Sequence, residues 1–166
     1  PTGKGEPPIE MIDPTADLRD WADTAALMSN LDLVISVDTA GAHLAVMMMA
    51  ALWPAHEADL PSTLVKGGLA LSGIYDLAPL VQAPFVNVDL KLDARRARTL
   101  SPAFMPPATT APLITAVGGL ESSEFHRQTA LIGRAWKDVL VRSVPMPGTN
   151  HLTVVAELAN PASPLF

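Results

Sequence analysis

Leu33-Val34-Ile35-Ser36-Val37-Asp38-Thr39-Ala40-Gly41-Ala42-His43-Leu44-Ala45 is the stretch on which the fold turns. Its first five residues are mostly apolar and β-branched, as in a strand buried in a parallel sheet. Thr39 to Ala51 is rich in Ala, Met and Leu and reads as a buried helix starting directly from the turn, with Pro54 to end it. Strand, tight turn and helix make the first part of a βαβ unit. The alternation recurs downstream. Val65 to Leu71 reads as a second strand, Leu113 to Val117 as a third and Val139 to Val144 as a fourth. Ser123 to Val139 reads as a helix with Gln128, Leu131, Ile132, Ala135 and Trp136 facing inward, and Leu152 to Leu158 as a short final one. The expected fold class is α/β: a parallel sheet of about four strands flanked by helices, with right-handed crossovers.

Upstream, residues 1–14 are rich in Pro, Gly and charge and read as an arm. A helix follows, capped by Thr15 or Asp17, with Leu18, Trp21, Ala22, Ala25 and Met28 on one face and Asn30 closing it. Residues 15–166 then form one α/β domain. Its largest interruption is an excursion at 73–112, expected to hold one or two short helices with Asp89 to Ala97 the best candidate, and kept irregular in its second part by Pro102, Pro106, Pro107 and Pro112. Excursions of this size commonly act as caps or substrate walls.

With 49% hydrophobic residues among 166, the chain has material for a real core. The net charge of −6 and the lack of a basic run argue against nucleic acid as a partner. No cysteine is present, which excludes disulfides and thiolate zinc sites and suits a reducing, cytoplasmic setting. The longest apolar run, Ala40 to Trp53, is too short to cross a bilayer, so no membrane association is expected, and no basic start precedes an apolar stretch as in a signal peptide. No cofactor or metal is expected.

Three residues with chemistry fall just past predicted strand ends: Thr39, Glu121 and His151. In open parallel sheets, ligands collect at that edge. Hydroxyl, acid and histidine in this chain order match a hydrolytic triad. Glu121 would hold the imidazole's tautomer, and His151 would act first as base and then as acid. Other readings stay open. Thr39 serves equally as a helix N-cap, and its extra methyl crowds a tight turn. Asp38 is an alternative nucleophile, as is Ser72, which otherwise reads as a structural hydroxyl. Glu121 suits the cap of the following helix. The Ala40 amide, at a helix N-terminus, is the candidate oxyanion donor. His43 reads as packing, Met47, Met48 and Met49 as core filler, and His56, Glu57 and Asp59 as a solvated loop.

From about residue 41 onward the chain resembles α/β-hydrolases of the kynurenine formamidase and related carboxylesterase group. The matching stretches are Ala40-Gly41-Ala42-His43-Leu44-Ala45, Lys66-Gly67-Gly68-Leu69-Ala70-Leu71-Ser72-Gly73-Ile74-Tyr75-Asp76-Leu77, Leu100-Ser101-Pro102, Val117 to Phe125, and Pro147-Gly148-Thr149-Asn150-His151. The resemblance implies a truncated half of that fold, Glu121 as triad acid, His151 as base, and small esters or arylamides as substrates. Two departures stand out. The family's elbow serine is replaced by Thr39, and its upstream His-Gly-Gly oxyanion stretch has no counterpart. Asp17 to Leu27 and Asn30 to Ala40 resemble instead the donor-binding domain of heptosyltransferase-like glycosyltransferases, over residues of about 14–45, which implies a chimera and, at Asp38 to His43, a nucleotide-sugar site. A strand such as Leu33 to Val37, stripped of its neighbours, is expected to be covered by a second copy or by the arm of residues 1–14, in a homodimer or larger assembly.

Overall fold

A computed structural model describes residues 34–36 and 39–166, with side chains from residue 40 onward. The arm, the first predicted helix, Leu33, Val37 and Asp38 lie outside the described residues.

The core is a sheet of four parallel strands in sequential order: β1 (Val34–Ser36), β2 (Gly68–Leu71), β3 (Leu113–Gly118) and β4 (Leu140–Met146). The alternation of strands with helices therefore produces the expected parallel α/β architecture. Helix α1 (Thr39–Ala50) follows β1 and packs on β1 and β2. Its Ala42, Ala45, Val46, Met48 and Met49 are buried, so the methionine run is core, with Met47 half-buried. Gly68 permits the close approach, because a Cβ there would lie 2.7 Å from the Met49 sulfur. Alternate strand residues fill a second layer: Leu69, Leu71, Ala116, Val144 and Met146 pack with Val154 and, more peripherally, Leu158 and Leu165. Side chains two apart share a sheet face, which is how one strand feeds both layers.

Helix α1 ends at Ala50, and Pro54 does not end it but lies in the first turn of the short α2 (Trp53–His56), where a missing N–H costs nothing. His56, Glu57 and Asp59 are exposed. The excursion holds α3 (Ala78–Val81), α4 (Pro84–Leu90), α5 (Ala94–Thr99) and a 3₁₀ turn at Pro102–Phe104. Asp89 to Ala97, the best helical candidate, is thus divided between two helices. Lys91 takes a left-handed backbone (φ 50°), and the Asp93 carboxylate accepts the Arg96 N–H at 2.7 Å, starting a new helix.

Buried polar groups tie the excursion to the domain. The Ser101 hydroxyl accepts the Leu77 N–H and donates to the Ala97 carbonyl. Gln128 is fully buried; its amide oxygen accepts the N–H groups of Tyr75 and Asp76 at 2.8 Å each, and its NH₂ donates to Asp76 O and to Glu124. Gln128 comes from α6 (Ser123–Ala135), which packs on β3. Trp136, just beyond α6, donates its indole N–H to Met105 O at 2.8 Å. Gln128, Ile132 and Trp136 are buried as expected, Leu131 is half-buried, and Ala135, expected to face inward, is exposed. Strand β4 pairs only with β3 among the described residues, and its Pro145 removes one donor from that side of the sheet.

Candidate active site

Every predicted site residue in the described part lies at the C-terminal rim of the sheet. Thr39 opens α1, and its side chain lies outside the described residues, as does Asp38. Ala40 is the second residue of this 12-residue helix, so its N–H belongs to the first turn, which has no acceptor within the helix. Ser72 follows β2, Glu121 follows β3, and His151 follows β4.

The structure brings Glu121 and His151 together. Glu121 Oε2 lies 2.7 Å from His151 Nδ1. The carboxylate is almost wholly buried, with 1% of its side chain exposed, whereas the imidazole keeps 37%. One edge of the ring is thereby committed to the acid while part of it stays accessible. The other carboxylate oxygen, Oε1, accepts the Gly118 N–H at 2.7 Å and the Ser72 hydroxyl at 2.5 Å. Glu121 is therefore no mere helix cap; three donors converge on it. Its placement needs a bare residue at 118, since a Cβ there would stand 2.9 Å from Oε1 and 2.6 Å from the Thr149 carbonyl.

The loop carrying His151 is locally determined. Gly148 has φ 82° and turns the chain after Pro147. The Asn150 side chain accepts the N–H groups of Leu152 and Thr153 at 3.0 Å each, and the Thr153 hydroxyl accepts the Asn150 N–H at 2.8 Å. This reciprocal pair starts α7 (Thr153–Ala156) and fixes where residue 151 points. The Phe125 ring, from the first turn of α6, lies against the imidazole with centroids 4.6 Å apart.

Ser72, an alternative nucleophile in the sequence, stands at this edge bonded to Glu121. Its hydroxyl donates to the carboxylate, and the residue is 2% exposed with φ 50°. A non-glycine residue held there costs on the order of 1–3 kcal/mol, which the surrounding structure must offset. Gly118 and Asn150 were also unassigned. The glycine pair before Glu121, and an Asn three residues before Thr153, are the signals that mark them.

His43 is a packing residue, as read. Its Nδ1–H donates to the Ile74 carbonyl at 2.8 Å, tying α1 to the loop after Ser72. Burial pulls its pKa below the usual histidine value, and the bond to Ile74 opposes this in part. The folded pKa is then lower than the unfolded one, so the unfolded chain binds more protons between the two values. Stability is full above about pH 6.5 and declines as pH falls through the unfolded value toward the folded one. We expect the melting temperature to drop between about pH 7.5 and about pH 5.5, and to drop less in His43→Asn. Equal drops in both proteins would contradict this role.

With the geometry established, comparison places the fold. The chain is 28% identical over 130 residues to kynurenine formamidase of Salmo salar, a match covering 74% of this chain and 43% of that protein. The Danio rerio kynurenine formamidase gives 28% over 129 residues with the same coverages. Among solved structures, a candidate thioesterase from Silicibacter sp. TM1040 superposes with a TM-score of 0.64 at 28% identity, covering 76% of this chain and 45% of that one. The fold is that of an α/β-hydrolase. This chain spans less than half the length of those relatives. No family model matches it. The glycosyltransferase likeness of residues of about 14–45 finds no support among these matches, and His43, the histidine invoked for it, is engaged in packing. Among the described residues, no helix is long and apolar enough to cross a membrane.

Proposed function

We propose that this α/β-hydrolase domain hydrolyses small carboxylic esters or arylamides, N-formyl arylamines included. The observation that carries the proposal is the 2.7 Å contact between the buried Glu121 carboxylate and His151 Nδ1 at the strand-end rim. The substrate class is drawn from the kynurenine formamidase name of two relatives.

In this reading the residue 39 hydroxyl attacks the carbonyl carbon and gives its proton to His151 Nε2. Glu121 stabilises the imidazolium. The Ala40 N–H, at the positive end of α1, donates to the oxyanion. His151 then protonates the departing alcohol or amine, and a water molecule, deprotonated by the same ring, releases the acid. Ser72 is not the nucleophile in this scheme, because its hydroxyl proton is given to Glu121. Asp38 stays second to Thr39, since a carboxylate needs no base to attack.

The test is turnover of p-nitrophenyl acetate and of an N-formyl arylamine by the purified chain. Release above the buffer rate is expected for at least one; none for either would contradict the proposal. A second reading, a hydrolase scaffold without turnover, is favoured by Thr39 standing where the resembling family carries its elbow serine. It predicts that Thr39→Ser restores nothing, whereas the leading reading predicts a faster enzyme. As part of the proposal, two copies associate along β1, which pairs only with β2 among the described residues. Sedimentation at high concentration should show a dimer or larger, and a monomer would contradict it.

A further inference from the structure

We propose that Ser72 is a positioning residue for the Glu121–His151 pair, holding one carboxylate oxygen so that the other is presented to the imidazole. The proposal deepens the hydrolase reading and rests on it. Two donors, the Ser72 hydroxyl at 2.5 Å and the Gly118 N–H at 2.7 Å, meet on Oε1, and His151 Nδ1 meets Oε2 at 2.7 Å. A carboxylate turns easily about its last torsion. With both donors on one oxygen, that turn breaks two bonds at once. Gly118 alone constrains it less, because the amide bonds either oxygen as the group swings.

The backbone supplies an independent argument. Ser72 N–H continues the sheet, donating to Ala116 O at 2.9 Å, yet its φ is 50°. Glycine suits that conformation best, and glycine does occupy the next position, 73. A serine kept in a backbone that favours glycine, with its hydroxyl on a buried carboxylate, marks a position where the side chain matters more than local ease. Such strain gathers at functional sites. Ser72 acts through Glu121 and does not touch substrate.

The experiment compares the full chain with Ser72→Ala and Ser72→Gly. The His151 Nδ1–H proton is followed by NMR at low temperature, assigned by its absence in Glu121→Ala and His151→Ala, alongside kcat and KM on p-nitrophenyl acetate. In both variants the downfield Nδ1–H signal is expected to move upfield or broaden, and kcat to fall about tenfold with KM little changed. Ser72→Gly matches the left-handed backbone, so it folds even where the alanine variant does not. A signal unmoved in the folded variants overturns the positioning role. No such signal in the unsubstituted chain overturns the pair and this role with it. A signal that responds to Ser72 in a chain without turnover upholds the positioning role and overturns only the hydrolase reading.

Discussion

His151→Ala lowers kcat for p-nitrophenyl acetate by about 10²- to 10⁴-fold while leaving KM and the melting temperature nearly unchanged. The size follows from the two tasks of one ring. It takes the proton of the attacking hydroxyl and returns it to the leaving group, so both chemical steps lose their proton carrier. The small effect on folding follows from exposure. The His151 side chain is 37% exposed, and its local turn is held by Asn150 and Thr153 rather than by the imidazole. Glu121→Ala separates the pair's two contributions. It removes the acceptor of three hydrogen bonds from a nearly buried position, so it loses stability as well as rate. A His151→Ala protein as fast as its parent would show that the rim holds a hydrogen-bonded pair with no part in turnover.

Trp136→Ala destabilises the domain by about 3–5 kcal/mol, lowering the melting temperature by roughly 10 °C. Among the described residues Trp136 is the largest fully buried side chain, and its indole N–H donates to the carbonyls of Met105 and Pro102. Its loss opens a cavity beyond α6 and strands two carbonyls of the excursion. The same residue thus holds the excursion against the sheet, together with Gln128 and Ser101. Trp136→Phe keeps most of the volume and loses only the donor, so it should cost about 1–2 kcal/mol. Thermal or urea unfolding of both variants checks the ranking, and equal losses would mean that packing contributes little here.

Much of this fold could be read from local pattern. Leu113 to Val117 is an apolar run long enough for a buried strand, and the strand found is Leu113–Gly118. Gln128, Ile132 and Trp136 recur every four residues, which sets the inward face of α6. Errors arose where a single side chain cuts the backbone. Asp89 to Ala97 has helical composition throughout, but the Asp93 carboxylate caps a new helix, and composition does not register a cap in mid-run. Pro54 looks the same to the eye whether it stops a helix or opens one. The Glu121–His151 pair was legible because consecutive parallel strands deliver their following loops to one rim. Ser72 lies at that rim too, but its bond spans 49 residues and depends on a left-handed backbone at a serine. Neither propensity nor spacing carries that information.

In the proposed mechanism Glu121 and His151 serve a nucleophile at the start of α1. Labelling with a fluorophosphonate, followed by peptide mapping in the mass spectrometer, tests it most directly. One adduct is expected, on Thr39, formed in the parent chain and lost in His151→Ala. An adduct on Ser72, or no adduct on a chain that nonetheless hydrolyses esters, would contradict it.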